Sequence, residues 1–116
     1  MSKKTPVGVL TAAYNLLLDP KRWIQGAMAT DKDGYSVRPE TPKAVCFCSI
    51  GAIRRVAPLK YDAAPREMAR SLLSRAAHQE FGVNPVCVND DLGHDIALLM
   101  FEKAIELGKR QEAERV

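Results

Sequence analysis

Downstream of Thr5-Pro6, apolar residues recur at Val7, Leu10, Tyr14, Leu17 and Leu18, a three- and four-residue spacing that predicts an amphipathic helix. Thr5 is placed to cap it, and Pro6 takes the first helical position, where its missing N–H costs nothing. Asp19-Pro20 closes it, because a residue before proline avoids helical backbone. Between Trp23 and Ala29 the period falls to two. Trp23, Gln25, Ala27 and Ala29 share one side of an extended segment and Ile24 and Met28 the other. Thr30 to Gly34 then reads as a turn and Tyr35 to Val37 as a returning strand, which predicts a small β-hairpin.

Thr41-Pro42 repeats the capping signal. Val45, Ser49, Ala52 and Val56 follow at helical spacing beside Cys46, Ile50 and Ile53, predicting a second helix that reaches Ala57 and stops at Pro58. The alternative start is near Cys48, with Cys46-Phe47-Cys48 as the end of a strand. A third helix opens at Ala64-Pro65 and closes at Gly82, with Met68, Leu72 and Ala76 in one row and Ala69, Leu73 and Ala77 in the next. Arg66, Arg70, Ser74 and Gln79 fall on its solvated face, and His78 is expected to be exposed. Asn89-Asp90-Asp91 supplies caps for a fourth helix that buries Ile96, Leu99, Met100, Ala104 and Leu107, widened by Leu98, Phe101 and Ile105. Glu106 and Arg110 form an i,i+4 pair on its outer face.

The predicted fold is therefore mainly α, a compact four-helix single domain over residues 1–116 with a small β-hairpin between helices 1 and 2. Flexible ends are expected at about 1–4 and, where the tail frays, 111–116. The apolar stripes of the first and fourth helices are wide enough to suggest a homodimer.

Composition narrows the class of partner. The chain has 116 residues, 47% hydrophobic and 27% charged, a globular balance far from that of disordered chains. Its 17 basic and 14 acidic residues give a net charge of only +3, and the signs interleave. The strip Lys60, Arg66 and Arg70 is diluted by Asp62 and Glu67 and carries no interleaved aromatics, so nucleic acid is not the expected partner. Pro6, Gly8 and Asn15 interrupt the N-terminal apolar stretch as a signal peptide would not. No apolar run approaches the ~20 residues of a membrane helix. The three cysteines suggest no pairing scheme, and Cys46 and Cys48 are badly spaced for bonding each other. Reduced thiols and a cytoplasmic location are expected.

One set of residues stands apart from the amphipathic background. Trp-x-Gln-Gly-Ala-x-Ala-x-Asp-x-x-Gly runs through Trp23, Gln25, Gly26, Ala27, Ala29, Asp31 and Gly34; Phe-Cys-x-x-Gly-Ala-x-x-Arg through Phe47, Cys48, Gly51, Ala52 and Arg55; and Asn89-Asp90 stands three residues ahead of His94. With these motifs, over about residues 10 to 107, the chain resembles a family of small bacterial and phage proteins of unknown function. Val88 departs from the pattern, which often has an aromatic there. The resemblance implies a compact helical domain and groups the motif residues into one region, without assigning an activity.

Three chemistries suit that region. Cys48 as nucleophile, His94 as base and Asn89, Asp90 or Asp95 as orienter follow the chain order of papain-like and transglutaminase-like enzymes, provided a helix N-terminus or an imidazolium stabilises the thiolate. A thiol two turns inside a helix is instead a small buried apolar group. Cys46, Cys48, Cys87 and His94 have the ligand types for zinc but only one short-spaced pair, so no metal site is assigned. Asp31-Lys-Asp33-Gly34 lacks the third acidic position and the closing Glu of a calcium loop and reads as a turn. Arg54 and Arg55 with Gln25, Asn89 and His94, and Trp23 or Tyr35 as a stacking surface, would make a pocket for a small anion. The leading expectation is a non-enzymatic binding module, without cofactor, for a small anionic or nucleotide-like ligand or a partner protein. The alternative is a cysteine-dependent hydrolase or transferase using Cys48 and His94. The start of the second helix relative to Cys48 separates them.

Overall fold

The computed structural model describes residues 5–58 and 62–114. Among them the chain forms five α-helices, α1 (Pro6–Leu17), α2 (Ser49–Val56), α3 (Ala64–Phe81), α4 (Pro85–Cys87) and α5 (His94–Glu114), with two short strands, β1 (Ala29–Thr30) and β2 (Cys46–Phe47). The Thr5 hydroxyl accepts the Gly8 N–H at 3.0 Å, and α3 ends at Gly82 with φ 73°. Both ends are as the sequence predicts.

The apolar stripes meet where α5 lies along α1 and α3. Leu10, Ala13 and Leu17 of α1, Ala69, Leu73 and Ala76 of α3, and Met100, Phe101 and Ala104 of α5 are buried. Gly108 permits a close crossing of α1 and α5, since a Cβ there would come within 2.7 Å of Val7 Cγ2. The stripes that suggested a homodimer are thus covered within the chain, leaving Leu18 and Leu99 exposed at their edges. Among the described residues no helix is long and apolar enough to cross a membrane.

Several elements differ from the prediction. The turn at Thr30 to Gly34 forms, with Gly34 at φ 87° and Asp31 Oδ1 accepting the Asp33 and Tyr35 N–H groups at 2.9 and 3.0 Å. The returning segment makes only an isolated bridge, Thr30 to Ser36. The strand partner of β1 is β2, antiparallel, with Ala29 opposite Phe47 and Thr30 opposite Cys46. Trp23 to Met28 is not a strand, because Gly26 at φ 81° breaks the alternation; only Trp23 pairs, in a parallel bridge to Phe47.

That pairing also explains the second helix. Val45 and Cys48 donate their N–H groups to Thr30 O and Met28 O at 2.9 and 3.1 Å, so residues 45–48 are held extended. Thr41-Pro42 makes a turn closed by Ala44 N–H on Thr41 O at 3.1 Å, and α2 begins only at Ser49 with Cys48 as its cap. Gly51 lies in the first turn of α2 directly against the strand connection, where any Cβ would overlap the Met28 carbonyl.

The fourth predicted helix is divided. Asn84 caps α4 by accepting the Cys87 N–H at 2.9 Å. Residues Val88–Leu92 then form a wide π-helical turn, and Gly93 at φ 93° breaks the chain before α5 restarts at His94. Asn89-Asp90-Asp91 is therefore interior to a turn and caps nothing. Arg66, expected on the solvated face, is only 8% exposed, because its stem continues the buried row of Ala69 and Leu73. Leu99 is 37% exposed, and Glu106 pairs at 3.8 Å with Lys103, one turn before it, rather than with Arg110, one turn after it. Helix α5 runs through Glu114, past the expected fraying point. Lys60 of the basic strip and the termini at 1–4 and 115–116 lie outside the described residues.

Candidate functional site

The π-turn turns the Asn89 side chain inward, and Asn89 is 1% exposed. Its Oδ1 accepts from Trp23 Nε1 at 2.7 Å, Ser49 N at 3.0 Å and Ser49 Oγ at 2.8 Å. Its Nδ2 donates to Ile24 O and Asp90 Oδ1, both at 2.9 Å. The amide orientation follows from chemistry, since an indole N–H and a backbone N–H can only donate. Three further bonds tie the 25–26 segment to the same turn: Gln25 Nε2 donates to Asp90 O at 2.8 Å and, at 3.5 Å, to Asn89 O, and Gly26 N donates to Asp90 Oδ1 at 3.1 Å. Trp23, Gln25, Asn89 and Asp90 are thus brought together as the sequence grouped them, and their polar atoms bond to one another and to the backbone.

His94 joins the group from the start of α5. Its ring crosses Trp23 with centroids 5.3 Å apart and a 53° tilt. Its Nε2 lies 2.7 Å from the Leu17 carbonyl, an acceptor only, so that nitrogen carries the proton. No hydrogen bond joins His94 to Cys48 among the described residues.

Cys48 stands where a reactive thiol would need to be, at the N-terminus of α2, yet the environment acts the other way. Burial pushes the thiol above the usual cysteine range and the Asp90 charge adds to it, against the smaller opposing pull of the Gly51 and Ile50 N–H groups. The sulfur accepts the Gly51 N–H at 3.3 Å. It is a protonated helix cap at neutral pH. With Ser49 N–H on Asn89 and Gly51 N–H on Cys48, these first-turn donors of α2 are satisfied within the chain.

The two arginines expected in the pocket are elsewhere. Arg54 grips Glu40 with two bonds, Nε to Oε2 at 2.9 Å and Nη2 to Oε1 at 3.0 Å. Burial alone would raise the Glu40 carboxyl, but the bonds and charge of Arg54 outweigh it and hold the group below the usual range. Arg55 Nη1 donates to Pro39 O and Thr41 O at 3.1 and 2.6 Å and its guanidinium lies 5.8 Å from the Phe47 ring centroid. Both brace the 39–41 loop, because an α2 that starts at Ser49 turns its last turn toward that loop. Tyr35 is 72% exposed at the hairpin turn and stacks on no ring among the described residues. The metal set is not assembled either: no three His, Cys, Asp or Glu side chains converge among the described residues, and Cys46 Sγ donates to Lys21 O at 3.2 Å.

Beside the Asn89 junction lies a cleft of about 370 Å³. Ala27, Met28, Ile50, Pro85 and Val86 make its walls mainly apolar; Cys48, Ser49, Asn89 and Asp90 line its polar side, and Arg70 stands at its edge. A second depression of about 400 Å³ shares Ile50, Arg70, Pro85 and Val86 and continues the groove along α3. Arg70 is exposed and forms no ion pair among the described residues. The sequence marks Arg70 only as one solvated position of α3 among several, and nothing in its spacing signals the cleft. Asn84-Pro85, a cap followed by proline, is the sequence signal for α4 and places Val86 on this surface.

The model of a family of unknown function, DUF6197, matches residues 1–107, and the chain belongs to that family. No curated protein and no solved structure matches it.

Proposed function

We propose, starting from a family membership that assigns no activity, that this protein is a binding domain whose cleft takes a small anionic ligand with Arg70 as its countercharge. The observation that carries this reading is a mainly apolar cleft of about 370 Å³ lined by Arg70, whose guanidinium has no ion-pair partner among the described residues. Small-molecule sites are typically concave, mostly apolar and about 300–1,000 Å³, with few polar groups that fix orientation. An apolar body would displace water from Met28, Ile50 and Val86 while the anion meets Arg70.

The floor is rigid before any ligand arrives, because Asn89 ties the Trp23 segment to the start of α2. A preformed cleft avoids the ordering cost of binding. Cys48 lines this same cleft, but its raised pKa favours packing and capping over nucleophilic attack.

The test is a melting-temperature screen of the full chain against small organic anions, with Arg70→Gln beside wild type. A ligand at about 100 times its Kd should stabilise the wild type by about 2.7 kcal/mol. The variant should lose most of that gain. Equal stabilisation of both proteins would remove Arg70 from the site, and no stabilisation by any anion would overturn the reading.

A further inference from the structure

The cleft also restricts which anion it admits. We infer, on the basis of the binding reading above, that it selects a singly charged carboxylate bearing an apolar chain and discriminates against phosphate esters and nucleotides. Among the described residues Arg70 is the only cationic side chain lining it, and one planar guanidinium matches one carboxylate through two parallel bonds. A phosphate ester, close to a dianion at neutral pH, asks for a second cation or a cluster of free backbone donors.

Neither is offered. The N-terminus of α2 borders the cleft, but Ser49 N–H already donates to Asn89 Oδ1 at 3.0 Å and Gly51 N–H to Cys48 Sγ at 3.3 Å. Asp90 lines the same cleft and Glu67 the adjoining depression. Each repels a second negative charge on the ligand, and Asp90 is fixed in place by the Gly26 N–H at 3.1 Å. The aliphatic chain of the carboxylate then lies against Met28, Ile50 and Val86.

Protein-detected NMR titrations of the full chain with hexanoate, hexyl phosphate, adenosine monophosphate and hexan-1-ol test this. Hexanoate is expected to shift the Met28, Ile50 and Val86 amides with a Kd at least roughly tenfold below those of the other three probes. Arg70→Gln, at an exposed position that leaves the fold intact, should erase its advantage over hexanol. Glu67→Gln should narrow the gap between hexanoate and hexyl phosphate. If hexyl phosphate or the nucleotide binds these amides as tightly as hexanoate, the carboxylate selectivity is wrong and the cleft reading stands. Hexanol binding as well as hexanoate would likewise end the selectivity. If none of the four shifts these amides, both readings fall.

Discussion

The α1–α3–α5 packing and the junction around Asn89 are held by different forces. In the first, Leu10, Leu17, Leu73, Met100 and Phe101 are excluded from water, an interaction without direction that scales with area. In the second, a handful of directed bonds joins residues 64 to 66 positions apart, Trp23 to Asn89 and Gly26 to Asp90 among them. A greasy interface tolerates sliding and repacking, whereas the junction fails when one amide is missing. The part of the molecule that presents a cleft is the part built with direction.

The largest expected effects set the two regions against each other. Phe101→Ala should cost about 3–5 kcal/mol in denaturant unfolding and lower amide-exchange protection throughout α1, α3 and α5. Asn89→Ala strands the Trp23 indole N–H and the Ser49 N–H and hydroxyl, at about 1–3 kcal/mol for each buried group left unpaired. Its loss of protection should concentrate in residues 23–28 and 84–93. Equal loss of protection across the helices in both variants would show one cooperative unit and erase the distinction.

A smaller effect sharpens the role of the cap. Cys48→Ala should destabilise the protein by about 1 kcal/mol, and Cys48→Ser by less, since a hydroxyl can accept the same N–H. Native Cys48 should alkylate slowly at pH 7 and faster as pH rises, because burial and Asp90 hold the thiol protonated. Rapid labelling near neutrality would reinstate the nucleophile.

The smallest effect lies outside both regions. Glu40→Gln should cost about 1 kcal/mol at neutral pH, the range of a well-formed bidentate pair. The Glu40 carboxyl is held below its usual value in the folded protein. The stability it adds is therefore present above the unfolded pKa of about 4.3 and is lost as pH falls through the folded one. The wild type and the variant should converge in acid. A gap that persists at pH 2 would remove the ion pair as its cause.

What was legible in the sequence follows the same division. Periodicity located α1, α3 and most of α5, because a helix that buries one face must repeat its apolar residues every three or four positions. It failed between Trp23 and Phe47, where the strand partner of Ala29 is Phe47 across a long connection rather than the nearby Tyr35 to Val37. Strand pairing has no local signature when both strands are two residues long. Thr41-Pro42 and Asn84-Pro85 show the ambiguity of one signal: the same cap-and-proline dipeptide opens a turn in the first case and α4 in the second, and the backbone already held by β1 decides. Of the motif residues, Trp23, Gln25, Asn89, Asp90 and His94 meet at one junction, whereas Asp31, Gly34 and Arg55 serve the hairpin turn and the 39–41 loop. Arg54 and Arg55 were misplaced because residue type shows an affinity for carboxylate and carbonyl oxygens without saying that Glu40, Pro39 and Thr41 supply them.

The bond from Trp23 to Asn89 has a further use. Trp23 is the only tryptophan of the chain, so its emission arises from one place, half-buried against His94 and tied to the floor of the cleft. Opening of the junction would wet the indole and shift its fluorescence to the red while the far-ultraviolet signal of the helices stays unchanged. The molecule thus carries an intrinsic optical probe that separates events at the Asn89 junction from unfolding of its helical body.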